Sequence, residues 1–179
     1  LLYVETDYWH NPEQSGYPGS ENYVLHIDGS AMLLGGCHAV DLARYLMGSD
    51  IVSVSAVETK GGFEAPHAPM QAAVLRFANG MIGKVSACIA HWAPYQFNVD
   101  LLGTDGGLRD NRFYSRRLPG ATDWATFPTI TPNSGLVSHH PFDGEIDHFI
   151  DCASCVLTAS WTLAWLCAPV RMQSMKWSI

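Results

Sequence analysis

Hydrophobic and polar positions alternate along several stretches of this chain and recur at helical spacing in another. Residues 1–8 read as a strand. Ile51 to Val57 alternates at period two, which predicts a half-buried strand. Gln71–Phe77 and Met81–Ile89 are strand-like runs joined by Asn79-Gly80, a pair that predicts a type I′ hairpin because both residues tolerate positive φ. Gln96–Leu102 and Gly107–Tyr114 make a second antiparallel pair around Thr104-Asp105-Gly106. Ser30 is a predicted N-cap for a helix through Met47, which Gly48 ends. Residues 11–28, rich in Gly, Pro, Asn, Ser and Tyr, predict a contact-carrying loop. Residues 115–141 read as irregular, and Phe142 onward as helical. The sum is an α+β domain: a mostly antiparallel open sheet with helices on one face.

Two adjacent glycines, Gly35 and Gly36, break the expectation for that helix. Each costs about 1 kcal/mol of helix stability relative to alanine. A close approach to the backbone would justify them, and His38 stands at the approach point. Asp41 follows three residues later on the same helical face. Histidine titrates near neutrality and suits a general base, so His38 is the candidate centre of a reaction site. The plain alternative is a hydrogen-bonded helix histidine. Asp41 would either orient the imidazole or anchor a hydroxyl, or simply be solvated. Tyr8, Trp9 and His10 end the first strand, where an aromatic ring and an imidazole suit a sugar ring and its hydroxyls, with ordinary packing as the alternative. His139 and His140 precede the last helix, as substrate contacts or as solvated loop residues. His26, His139 and His140 lack metal-ligand spacing, so no metal is expected. No Gly-x-Ser-x-Gly elbow supports a Ser-His-Asp hydrolase.

Composition narrows the classes. With 179 residues, 47% hydrophobic and 15% charged, the chain should form one globular domain with its own core. A net charge of -7 argues against nucleic acid as a partner. No basic amphipathic run suggests a membrane surface, and no apolar stretch is long enough to span one. No signal peptide is read, and the 5 cysteines show no disulfide framework, so reduced thiols in a cytoplasmic protein are the expectation. All 17 acidic residues fall at or before Asp151. Beyond it come three Trp, three Cys and no Gly. The expected division is therefore a domain over 1–151 and an aberrant apolar tail over 152–179. Two explanations of the tail stand open: a reading-frame shift after about Cys152, or a genuine apolar helix docking on the sheet. Trp161, Trp165 and Leu166 read as packing residues in either case.

Gly35-Gly36-x-His38-x-x-Asp41, followed by an aliphatic and aromatic helix ending in Gly, resembles the glucose–fructose oxidoreductase/inositol dehydrogenase family (Gfo/Idh/MocA). Three further segments agree, in the family's order: Glu5-Thr6-Asp7-Tyr8-Trp9-His10, residues 101–111, and residues 139–149. The resemblance implies the C-terminal half of a two-domain dehydrogenase. The Rossmann half would be missing, and the opening Leu1-Leu2-Tyr3-Val4 does read as a strand already under way. No Gly-x-Gly-x-x-Gly follows a strand here, and the family's Glu-Lys-Pro lysine belongs to that other half. NAD or NADP would be held mainly there, with Gly35 and Gly36 admitting nicotinamide or substrate. His38 would be catalytic, and Tyr8, His10, Asp41 and His139 would contact a sugar or polyol. A partner subunit would cover the second sheet face, giving a homo-oligomer. Leu34 departs from the pattern, since many family dehydrogenases carry Asp there. Two rivals therefore remain: a nicotinamide-dependent glycoside hydrolase or lyase, and a non-catalytic sugar-binding or association module.

Overall fold

The computed structural model describes residues 1–15, 20, 23–26, 29–127, 146–147 and 150–151. The chain divides into two units, Leu1–Val137 and Ser138–Ile179. In the second, residues 146–147 and 150–151 are helical, and Ile146 and Ile150 are exposed. His139, His140 and the 152–179 tail lie outside the described residues. No described helix is long and apolar enough to cross a membrane.

The first unit is built on one eight-stranded sheet, order β2-β3-β4-β1-β5-β6-β7-β8. The strands are β1 (Tyr3–Trp9), β2 (Ile51–Thr59), β3 (Met70–Phe77), β4 (Ile82–Cys88), β5 (Gln96–Leu102), β6 (Gly106–Arg109), β7 (Arg112–Ser115) and β8 (Ala125–Thr126). Every pairing is antiparallel except β1 with β4, which is parallel. A short α1 (Tyr23–His26) precedes the main helix, α2 (Cys37–Met47). The expected α+β architecture is thus the observed one.

α2 lies across the sheet, and the Thr6 hydroxyl beneath it donates to the Ala39 carbonyl at 2.8 Å. Ala43 and Met47 pack with Val4, Leu75, Phe77 and Val85 to form the main core. Ser30 heads the helical run, with the Leu33 amide donating to its Oγ at 3.4 Å. Gly48 ends it in the left-handed conformation (φ 57°), its amide reaching the Arg44 and Tyr45 carbonyls. The run is not uniform, however: Met32–Gly36 is wound as a π-helix before α2 begins. Single π turns of this kind gather at functional sites.

Three local expectations are corrected. β2 is not half-buried but exposed over nearly its whole length. It is an edge strand lying beyond the cover of α2, so Val52, Val54 and Val57 are all more than half exposed. The β3–β4 hairpin is not type I′. Its loop is Ala78-Asn79-Gly80, with only Gly80 at positive φ. Asn79 keeps a negative φ because its side chain is engaged, donating to the Met47 carbonyl at 3.2 Å and accepting from the Met81 amide at 3.1 Å. Gly107–Tyr114 is two strands, not one. Asp110 turns the chain at φ 51°, and its carboxylate accepts the Val99 amide at 3.0 Å.

Candidate functional site

Strand alternation from Thr6 puts Tyr8 on the face that α2 covers. Its ring lies directly against Gly35, where an added Cβ would fall on the Tyr8 ring atoms. Gly36 is equally confined, since a Cβ there would sit 2.6 Å from Met32 Sδ and 2.7 Å from Ala87 Cβ. Both glycines are buried. The close approach expected at the glycine pair is therefore made by the chain's own Tyr8, Met32 and Ala87. That is a complete physical reason for both residues.

Around Tyr8 the structure gathers an aromatic and imidazole cluster. Tyr8 Oη lies 3.2 Å from His10 Nδ1. The exposed His38 ring is centred 6.0 Å from the Tyr8 ring and tilted by 39°. Tyr95 stands edge-on to both Tyr8 and His10, at 5.6 and 5.3 Å. Phe97 meets Tyr8 edge-on at 6.3 Å. Burial, with a smaller effect from Tyr95, pushes the Tyr8 phenol up to about 12, and burial also raises Tyr95. Tyr8 thus stays a neutral phenol across physiological pH. When it donates to His10 Nδ1, His10 carries its proton on Nε2.

Of the residues singled out in the sequence, Tyr8, His10 and His38 come together here. Asp41 is exposed on α2, and among the described residues no hydrogen bond or ion pair joins it to His38. His139 lies outside the described residues. Leu34 is half-buried and packs against the second core cluster of Val24, Ala31, Ala65, Ala87 and Ile89. Among the described residues no three His, Cys, Asp or Glu side chains converge as a metal site would require. Tyr95 and Phe97 were missed. The aromatic run Trp92 to Phe97 was their signal, but only the pairing of β5 with β1 brings it to Tyr8.

The opposite sheet face holds a polar network that the sequence did not reveal. Lys84 Nζ bonds Glu5 Oε1 at 2.5 Å and reaches Asp7 at 3.3 Å. Tyr3 donates to Glu5 at 2.6 Å, Ser86 donates to the buried Asp7, and Trp9 Nε1 donates to Ser86 Oγ at 2.9 Å. Burial opposes the Glu5 charge, but hydrogen bonds from Lys84 and Tyr3 hold its carboxyl below the ordinary value. Burial lifts Asp7 above the ordinary value, despite Ser86 and Lys84. Lys84, partly buried itself, is held above its ordinary value by Glu5 and Asp7.

Comparison with known proteins gives concordant results. Residues 1–109 match the family model described as GFO/IDH/MocA C-terminal domain. No curated protein matches the sequence. Among solved structures, UDP-N-acetylglucosamine 3-dehydrogenase GnnA from Acidithiobacillus ferrooxidans aligns with TM-score 0.61 and 16% identity, over 86% of this chain and 44% of that one. The WlbA dehydrogenase from Bordetella pertussis, solved with NADH and UDP-GlcNAcA, aligns with TM-score 0.58 and 20% identity, over 86% and 45%. Levoglucosan dehydrogenase, solved with NADH and levoglucosan, aligns with TM-score 0.60 and 20% identity, over 84% and 47%. At these identities the likeness is one of fold. This chain spans less than half the length of each of the three.

Proposed function

This chain belongs to the GFO/IDH/MocA family, and on that premise we propose that it is the substrate-binding and association half of an NAD(P)-dependent oxidoreductase acting on a sugar, polyol or related hydroxy compound. The observation that carries the reading is the meeting of Tyr8, His10, His38 and Tyr95 at one strand end, inside the segment that matches the family. Aromatic edges and faces suit the apolar faces of a sugar ring, and the imidazoles and phenols suit its hydroxyls. The solved relatives were crystallised with a sugar nucleotide in one case and levoglucosan in another, which supports a sugar-class substrate here.

This half would meet the cofactor only at its nicotinamide end. No glycine-rich phosphate loop is present in the sequence, and the Gly35-Gly36 backbone is already covered. When bound, NAD(P) supplies a hydride acceptor. The residues of this chain do the rest. His38, exposed at the start of α2, takes the hydroxyl proton. Tyr8, wedged between Gly35 and Tyr95, fixes the wall against which the ring settles. His10, joined to the Tyr8 hydroxyl through Nδ1, lines the same wall.

In the full-length protein, His38→Asn should lower kcat by about 10²–10⁴-fold. KM should move far less, because the proton is taken in the transition state. Unchanged turnover per folded molecule would remove the base role from His38. Leu34 supports a second reading. An apolar packing residue stands where the resembled family's pattern has a carboxylate, as in a module that binds sugar without turning it over. Saturable sugar binding with no reduction of NAD(P) would establish that version instead.

A further inference from the structure

The cation inventory of the chain bears on which sugars the cluster takes. Ten Lys and Arg are present, and two of them, Arg171 and Lys176, lie outside the described residues. The other eight are all directed away from the Tyr8–His10–His38–Tyr95 cluster. Lys84 is on the opposite sheet face, held by Glu5 and Asp7. Arg76 alternates onto that same face, since its neighbours Leu75 and Phe77 are in the helix-side core. Arg109 is committed to Asp100 at 2.9 Å, and Arg112 stands opposite Arg109 in the β6–β7 register, on the same sheet face as Asp100 and Glu5. Arg116 and Arg117 both bind Asp105. Arg44 pairs with Asp50 beyond the last turn of α2, about 9 Å along the helix axis from His38. Lys60 follows β2, three strands from β1, and donates to the Ala65 carbonyl at 2.8 Å.

The ionisable side chains on the cluster side include no guanidinium or ammonium among the described residues: they are the imidazoles His10 and His38, phenols and a carboxylate. Tyr8 and Tyr95 are neutral phenols, and Asp41 lies one turn beyond His38 on α2. The segments 16–28 and 128–151 contain no Lys or Arg at all. The chain as a whole is at -7. A phosphate or carboxylate on the substrate would be stripped of water against aromatic rings with no guanidinium or ammonium among the described residues to receive it, and burying an unpaired charge is expensive.

We infer that this domain selects an uncharged sugar or cyclitol and discriminates against phosphorylated, nucleotide-linked or uronic-acid forms of the same ring. The inference rests on the sugar reading given above. The aromatic cluster supplies contact with the ring, and the missing cations supply the rejection.

The test is a matched panel on the full-length protein with NAD⁺ and NADP⁺. It pairs D-glucose with D-glucose 6-phosphate and D-glucuronate, and N-acetylglucosamine with its 6-phosphate and with UDP-N-acetylglucosamine, and it adds myo-inositol. Initial rates of cofactor reduction are read beside ligand-induced thermal shifts. The neutral member of the best pair should exceed its anionic partner at least tenfold in kcat/KM. Added salt should narrow that gap, since it screens a repulsion. Preference for an anionic member, with affinity that falls as salt rises, would overturn the inference and leave the oxidoreductase reading intact. Failure of every sugar and cyclitol to bind or react would overturn the sugar reading itself, and this inference with it.

Discussion

Gly35→Ala is the sharpest probe of how the site is held. Gly35 sits at an ordinary helical φ, so an alanine there would normally stabilise the helix by about 1 kcal/mol. The structure predicts the opposite sign. The new Cβ would land on the Tyr8 ring, whereas carbon atoms rest at about 3.5–4.0 Å, so the ring would have to retreat by more than about 1 Å. It cannot retreat freely, because Tyr95 and Phe97 also pack edge-on against it. Overpacking of this kind costs about 1–3 kcal/mol, which outweighs the helix gain. The assay is urea unfolding of wild type, Gly35→Ala, Tyr8→Ala and the double variant. Gly35→Ala should lower the midpoint, and the double variant should be more stable than the sum of the single effects by about 1–2 kcal/mol, because truncating Tyr8 removes the clash. A neutral or stabilised Gly35→Ala, or strict additivity, would refute the claim that Tyr8 is what the glycine admits.

Three other outcomes follow from the same geometry. Lys84→Met should destabilise the domain by about 1–3 kcal/mol at pH 7.5, short of the fully buried range because Lys84 and Glu5 are partly solvated. Burial already holds Asp7 above its ordinary value, and without the ammonium it rises further, so the native variant binds more protons than its unfolded chain and its stability falls as pH rises through the carboxylate range. The penalty should therefore shrink as pH falls from 7.5 into the carboxylate range in denaturant titrations, and a penalty that does not change with pH would show that the ion pair is not its source. In a spectrophotometric alkaline titration Tyr8 should ionise near 12, a phase that Tyr8→Phe deletes; a phase lost near 10 instead would show an open phenol. The domain should also associate through the sheet face opposite α2, where Val57 and Val74 are exposed, and a monodisperse monomer by light scattering at tens of micromolar would count against this.

What could be read from the sequence was what is local. Strand positions, the helix through Met47 and its stop at Gly48 are set by alternation, spacing and one left-handed residue, and each was legible. The glycine pair correctly announced a close approach, but not that Tyr8 makes it. That contact depends on where β1 enters the sheet, which no window of neighbouring residues encodes. Tyr95 escaped notice for the same reason. So did the Lys84–Glu5–Asp7 network, whose members alternate inconspicuously on separate strands until the parallel β1–β4 register aligns them. The two hairpin errors have a different cause. Asn79 and Asp110 direct their side chains to particular backbone groups, and those bonds, not the generic turn preference, decide the φ values.

β1 is first in sequence yet lies in the middle of the sheet, between β4 and β5. Lys84 and Glu5, neighbours across its parallel edge, are 79 residues apart in the chain. Folding therefore cannot proceed outward from the N-terminus. β2-β3-β4 can assemble as a meander and β5 to β8 as another, each from near neighbours, but they share no edge until β1 inserts between them. Such late, long-range pairing slows folding, and it leaves two unpaired inner edges exposed in the meantime. The first nine residues then act as the keystone of an arch: a small part of the mass, and the part whose arrival makes the two halves cooperative.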